Sequence, residues 1–258
     1  MTSPKVCILR SDGANCDEEL FYAFDKFGAS PVMVHVNELR NKSKKLKDFK
    51  ILAFPGGFSY GDDIASGKVL AVELISFLKD EIEEFVTRKG LVLGICNGFQ
   101  TLVRTGLLPF NNLGKMGVTL AQNESGHFEC RWVKIKMEKS KCVFLNQTDE
   151  ILEIAVNHGE GKFFAPQTVI KRVEDENLVA FRYVDQNGRP IQKYPQNPNG
   201  SINAVAGVCD PTGRILGMMP HPEKFVDLTQ HPNWRRQKFT KAHGSFIFEG
   251  LISYAKKS

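Results

Sequence analysis

The chain has 258 residues, 42% hydrophobic and 24% charged, with a formal net charge of +5. That length and mix suit a globular chain with a full core and exclude a disordered or fibrous one. No apolar run approaches the ~20 residues of a membrane-spanning helix, and the N-terminus enters a strand-like segment without a signal-peptide pattern, so a cytoplasmic location and no membrane partner are expected.

Strands and helices alternate through the first hundred residues. Residues 6–9 read as a short buried strand. Residues 17–27 follow with Leu20, Phe21, Phe24 and Phe27 on one helical face, and Gly28 is a C-terminal cap. Residues 31–36 and 51–54 are further strands, the latter stopped by Pro55-Gly56-Gly57. The basic run from Arg40 to Lys47 reads as a solvated face. No aromatics are interleaved with its lysines, so no nucleic-acid partner is expected. Residues 69–87 carry one long helical pattern that includes Leu70, Leu74, Phe77, Leu78, Ile82 and Phe85. Residues 91–95 form a fourth buried strand. Short apolar strands separated by amphipathic helices mean a parallel sheet covered on both faces.

The second half changes character. Residues 132–137 alternate apolar and polar, as a half-exposed strand does. Residues 151–156, 178–184, 202–208 and 215–219 add more strand. Residues 185–201 are rich in Asn, Gln, Pro and Gly and read as a long excursion. A helix over about residues 245–256 closes the chain. There is no internal repeat and no clear linker, so residues 1–258 are expected to form a single α/β domain.

The six cysteines (Cys7, Cys16, Cys96, Cys130, Cys142 and Cys209) form no Cys-x-x-Cys pair. That spacing argues against a zinc site and a disulfide framework, and no metal is expected. Cys96 stands apart. In Gly94-Ile95-Cys96-Asn97-Gly98 it sits between a buried strand and a helix-like segment, the shape of a nucleophile elbow. The helix after it would aim its positive end at the sulfur.

A nucleophilic thiol needs a base. Of the six histidines, His221 follows an apolar strand, as Cys96 does, and sites on parallel sheets collect at strand carboxyl ends. Pro222 restricts His221 to extended backbone, where residues two apart point the same way. Glu223 can then orient the ring, the third role of a triad. Pro55-Gly56-Gly57 lets backbone approach a substrate and supply an oxyanion donor, with a second N–H from Asn97; the same sequence also encodes an ordinary tight turn. The segments 122–132 and 157–164 are polar, glycine-containing loops edged with aromatics. They suit a zwitterionic substrate or a partner surface, and ordinary turns equally. No phosphate-binding glycine motif is present, so the chain is expected to hold no nucleotide or other cofactor of its own.

Taken together, residues 94–100, His221-Pro222-Glu223 and Pro55-Gly56-Gly57 resemble the class I (triad) glutamine amidotransferases. Phe58-Ser59-Tyr60-Gly61-Asp62, residues 123–132 and residues 157–163 narrow the resemblance to the glutaminase subunits of phosphoribosylformylglycinamidine synthases of the small-subunit form. The resemblance spans roughly residues 5–225 and is looser beyond. It implies a flavodoxin-like α/β fold, with a central, mostly parallel sheet flanked by helices, and hydrolysis of L-glutamine to glutamate and ammonia. It implies Cys96 as nucleophile, His221 as base then acid, and Glu223 as orienter. Gly57 and Asn97 match oxyanion-hole positions. Gly56 and Gln100 match substrate-binding positions, and the His158-Gly159 backbone matches the segment that grips the substrate α-carboxylate. The implied partners are a synthetase subunit, carrying ATP and magnesium, and a small bridging subunit.

Three other readings fit parts of the sequence. A glutaminase serving another synthetase is disfavoured by the loops at 123–132 and 157–163. A Cys-elbow hydrolase or chaperone of the related stress-protein family would carry its base next to the nucleophile, where this chain has Asn97. A non-catalytic relative would not need Cys96, His221 and Glu223 together.

Overall fold

The computed structural model describes residues 3–258. A βα repeat comes first: β1 (Lys5–Arg10), α1 (Asp17–Lys26), β2 (Ser30–His35), α2 (Val36–Arg40), β3 (Ile51–Phe54), α3 (Lys68–Phe77), α4 (Lys79–Thr87), β4 (Leu91–Ile95) and α5 (Asn97–Thr105). A strand-rich part follows: β5 (Thr119–Gln122), β6 (Glu129–Met137), β7 (Leu152–His158), β8 (Glu160–Phe164), α6 (Gln167–Asp175), β9 (Val179–Tyr183), β10 (Val205–Cys209), β11 (Ile215–Met218) and α7 (Ser245–Lys257).

Nine strands form one sheet in the order β2-β1-β3-β4-β11-β10-β9-β6-β7. The first five pair in parallel, and their order is the flavodoxin-like one. The physical reason is legible in β3 and β4. Every residue of Ile-Leu-Ala-Phe and Leu-Val-Leu-Gly-Ile is buried, as parallel strands roofed on both faces require. From β11 onward the pairings are antiparallel. There β7 alternates buried and half-buried residues, the pattern of a sheet with one wetter face. A separate two-stranded ladder joins β5 to β8.

The long helix expected over 69–87 is two helices. The backbone breaks at buried Leu78 (φ −125°, ψ 11°), which ends α3 and starts α4. Both bury their apolar stripes (Leu70 and Leu74, then Ile82 and Phe85), so the periodicity runs through a one-residue kink. The excursion at 185–201 has no strand, yet it is anchored. Asn199 donates to Tyr183 Oη at 3.1 Å, and the Phe163 N–H donates to Ser201 Oγ at 2.9 Å. Residues 225–243 fold back over β6 and β7 through an aromatic cluster in which His231 packs 4.3 Å from Trp132 and 4.5 Å from Phe239, centroid to centroid. α7 then packs Phe248 edge-on against Phe24 of α1.

Candidate active site

Cys96 sits at the turn from β4 into α5, with φ 52° and ψ −107°. That region costs a non-glycine residue of order 1–3 kcal/mol, and such strain concentrates at functional sites. The surroundings hold it there. The Cys96 N–H donates to Met218 O of β11 at 2.8 Å, and a Cβ on Gly98 would sit 2.2 Å from Phe54 O, so only glycine lets α5 start so close to β3. The sulfur is buried and points to Asn157 O of β7, 3.4 Å away.

His221 lies just past β11, and its N–H donates to Ala155 O of β7 at 2.8 Å. The extended His221–Glu223 segment expected from the sequence is not what forms. Residues Pro222–Lys224 make a 3-10 turn, because the fixed φ of proline suits the first position of a helical turn as well as a strand. The turn still brings the pair together, with His221 Nδ1 2.5 Å from Glu223 Oε1 and both side chains buried. Burial opposes charge on the His221 ring, but the Glu223 carboxylate and the Cys96 sulfur outweigh it and raise its pKa well above the ordinary value. The Cys96 and Cys16 sulfurs both lie beside the ring, while Nε2 makes no well-formed hydrogen bond. Nδ1 is thus committed to Glu223, and Nε2 remains for proton transfer.

Gly56 and Gly57 close the other side. A Cβ on Gly56 would stand 2.7 Å from His221 Cε1, so the absence of a side chain there admits the ring. Gly57 has φ +142°, a conformation in which side chains are strained. It bridges Ala14, but the bridge's hydrogen bonds use its neighbours: Asn15 N–H to Gly56 O and Phe58 N–H to Gly13 O. The Gly57 N–H is left out of that ladder. The Asn97 N–H opens α5 and has no acceptor within the helix. Both N–H groups are thus left without a backbone acceptor at this turn.

A cleft of about 340 Å³ runs over this point, lined by Gly57, Cys96, Gln100, Asn123, His158 and Gly159 among others. Gln100 does more than line it: its Oε1 accepts from Asn97 Nδ2 at 3.1 Å, and its Nε2 donates to Glu160 O at 2.6 Å. The Asn97 side chain also accepts from Ser59 Oγ at 2.7 Å and donates to Asp62 at 3.0 Å. This web ties the 58–62 loop to the first turn of α5. His158 and Gly159 line the cleft. Burial, then the neighbouring His221, lowers the His158 pKa to about 3, so the ring is neutral.

Three residues had no role in the sequence reading. Asn123 holds His158: Oδ1 is 3.0 Å from its Nδ1, and Nδ2 donates to its carbonyl at 2.7 Å. Asn157 supplies the carbonyl under Cys96. Asn123 and Asn157 lie within the polar segments 122–132 and 157–164, but nothing in their spacing distinguishes them. Cys16 touches the triad from a loop 205 residues before His221 in the chain, and no local pattern could reveal it.

A strained thiol elbow, a carboxylate-braced histidine and paired backbone donors on a flavodoxin-like sheet define a triad-type thiol amidohydrolase. The chain belongs to the family of CobB/CobQ-like glutamine amidotransferase domains, which it matches over residues 3–255. It is 43% identical over 259 residues to the phosphoribosylformylglycinamidine synthase subunit PurQ of Dehalococcoides mccartyi, covering 100% of both chains. It is 40% identical over 254 residues to the PurQ subunit of Methanococcus maripaludis, covering 97% of this chain and 93% of that one. Among solved structures, a chain of PurLQS from Thermotoga maritima superimposes with a TM-score of 0.74 at 28% identity, covering 98% of this chain and 99% of that one. A glutamine amidotransferase from Thermotoga maritima shares the fold, with a TM-score of 0.52 at 16% identity over 100% of this chain and 94% of that one. No helix among the described residues is long and apolar enough to cross a membrane.

Proposed function

We propose that this chain is the glutaminase subunit of a phosphoribosylformylglycinamidine synthase, acting in purine biosynthesis. It hydrolyses L-glutamine to glutamate and ammonia, and the ammonia passes to a synthetase subunit that converts formylglycinamide ribonucleotide to formylglycinamidine ribonucleotide. The reading is supported by the convergence of Cys96, which lines the cleft, with the buried His221–Glu223 pair beside it.

The chemistry follows from the geometry. The Cys96 thiolate, its proton already held on His221 Nε2, attacks the glutamine side-chain amide carbon. The tetrahedral oxyanion is held by the Gly57 and Asn97 N–H groups, each donor contributing roughly 3–4 kcal/mol. His221 returns the proton to the departing nitrogen, and ammonia leaves a γ-glutamyl thioester on Cys96. The same imidazole then deprotonates a water that cleaves the thioester to glutamate and free thiol. Glu223 stabilises the imidazolium formed in each half and fixes the tautomer. Gly56, Gln100 and the His158-Gly159 backbone position the substrate.

The synthetase subunit carries ATP and magnesium, a small bridging subunit joins the two, and the complex works in the cytoplasm. The test is labelling of Cys96 by a glutamine-mimicking electrophile, mapped by peptide mass, together with glutamine turnover assayed with and without the co-purified synthetase. Labelling confined to Cys96 and faster turnover in the complex are expected. A Cys96→Ala variant that kept a tenth of wild-type turnover would overturn the assignment.

A further inference from the structure

Cys16 is a second thiol against the triad. It precedes α1, is 5% exposed and is not among the residues lining the cleft. Its sulfur, one ring nitrogen of His221 and one carboxylate oxygen of Glu223 all lie within 4.8 Å of one another. The end of β3 enforces this closeness: a Cβ on Gly56 would meet His221 Cε1 at 2.7 Å and Cys16 Sγ at 3.4 Å. The Cys16 thiol contacts Asn15 Oδ1 at 3.4 Å and also lies beside the His221 ring. Two polar atoms of the trio, His221 Nε2 and Glu223 Oε2, are buried without a hydrogen-bond partner, in side chains only 1% and 0% exposed.

Thiolate, imidazole and carboxylate form the donor set of a borderline-soft divalent cation, with zinc as the type. Bond lengths of about 2.0–2.3 Å in a tetrahedron put donor atoms roughly 3.3–3.7 Å apart. With no pair more than 4.8 Å apart, no separation has to close by more than about 1.5 Å, a distance that side-chain torsion covers. No spacing in the sequence announces such a site, because its members come from both ends of the chain.

We propose that Cys16, His221 and Glu223 form an inhibitory site for a thiophilic divalent cation such as Zn²⁺. Binding converts the Cys16 thiol to thiolate and the His221 imidazolium to neutral imidazole, and both protons go to solvent. No substrate bond changes and no electron moves. The cation occupies the imidazole that Cys96 needs as its base and the carboxylate that orients that imidazole, so thioester formation stops. This consequence rests on the glutaminase reading, but the binding does not.

Cobalt(II) is the probe, because a thiolate ligand gives near-ultraviolet charge-transfer absorption and tetrahedral coordination gives strong visible bands. The background is the full chain carrying Cys96→Ala, which removes the nucleophilic sulfur, and Cys130→Ser, which removes the exposed thiol. One cobalt with a charge-transfer band is expected. Adding Cys16→Ala, or the size-matched Cys16→Ser, is expected to remove the band and weaken binding at least tenfold. No band in the starting background, or an unchanged band after either Cys16 substitution, overturns the site. With Cys96 present, the Zn²⁺ concentration that halves glutamine turnover is expected to rise at least tenfold in Cys16→Ala, measured against that variant's own metal-free rate; equal sensitivity overturns the inhibitory role. A chain that binds cobalt through Cys16 yet never hydrolyses glutamine refutes the glutaminase reading and leaves the metal site standing.

Discussion

His221 Nδ1 lies 2.5 Å from Glu223 Oε1, on a turn that places acid and imidazole side by side out of contact with water. A carboxylate so placed has no compensating solvent, and its partner ring is its principal counter-charge. Glu223→Gln keeps the shape but loses the charge. Steady-state kinetics are expected to show kcat down by about 10²–10⁴-fold with KM nearly unchanged. A fall in KM affinity with kcat intact would assign Glu223 to substrate binding instead.

Gly56 offers a test of ring placement without touching any reacting group. Its added methyl would lie 2.7 Å from His221 Cε1, too close for the ring to stay where it is. Gly56→Ala is expected to lower kcat at least tenfold, on the scale that small misplacements cost a positioned catalytic group. Circular dichroism checks that the fold survives. Unaltered turnover would mean that the ring has freedom to move aside.

The backbone at Cys96 stores strain that the nucleophile's position requires. Glycine adopts φ 52° and ψ −107° more readily than alanine does. Cys96→Gly and Cys96→Ala are both expected to be inactive, with the glycine variant the more stable by about 1 kcal/mol in urea unfolding. A more stable alanine variant would show that the elbow is relaxed.

His158 predicts a pH dependence of stability. Its folded pKa of about 3 lies below the ordinary value of roughly 6.5 for an unfolded histidine. The unfolded chain therefore binds the proton first as pH falls. The His158 contribution is complete above pH 6.5 and is lost progressively below it, by about 2 kcal/mol between pH 7.5 and pH 5. His158→Gln removes this dependence, so the stability difference between wild type and variant is expected to narrow over that interval by about that amount. The other shifted histidines, His221, His231 and His243, are common to both proteins and largely cancel in the comparison. A difference that stays constant with pH would mean that His158 titrates normally.

The parallel half of the sheet was readable because β1, β3 and β4 are nearly continuous apolar runs bounded by turn residues. So was the elbow, whose glycines and position after a strand are local signals. The split at Leu78 was hidden, because both helices press their stripes into the same core. β5, β8 and α6 carry no clear sequence signal: each is short, and the pairing of β5 with β8 spans about forty residues. The contact between His221 and Glu223 is legible from their spacing, but the turn that makes it is not, since proline is compatible with both a strand and a helical turn. Asn123, Asn157 and Cys16 matter only through contacts that the fold creates, and residue type alone does not encode those.

Both residues lean on β7: Cys96 through its sulfur on the carbonyl of Asn157, and His221 through its backbone N–H on the carbonyl of Ala155. A nascent chain exposes the thiol 125 residues before the imidazole is made, a lag of roughly 6–25 s at cellular synthesis rates. During that interval the sulfur lacks its proton acceptor, and β7, although made before His221, is not joined to the central strands until β10 and β11 follow. Reactivity is thus withheld until the far half of the sheet closes, which spares a half-made chain from acylating itself or its neighbours.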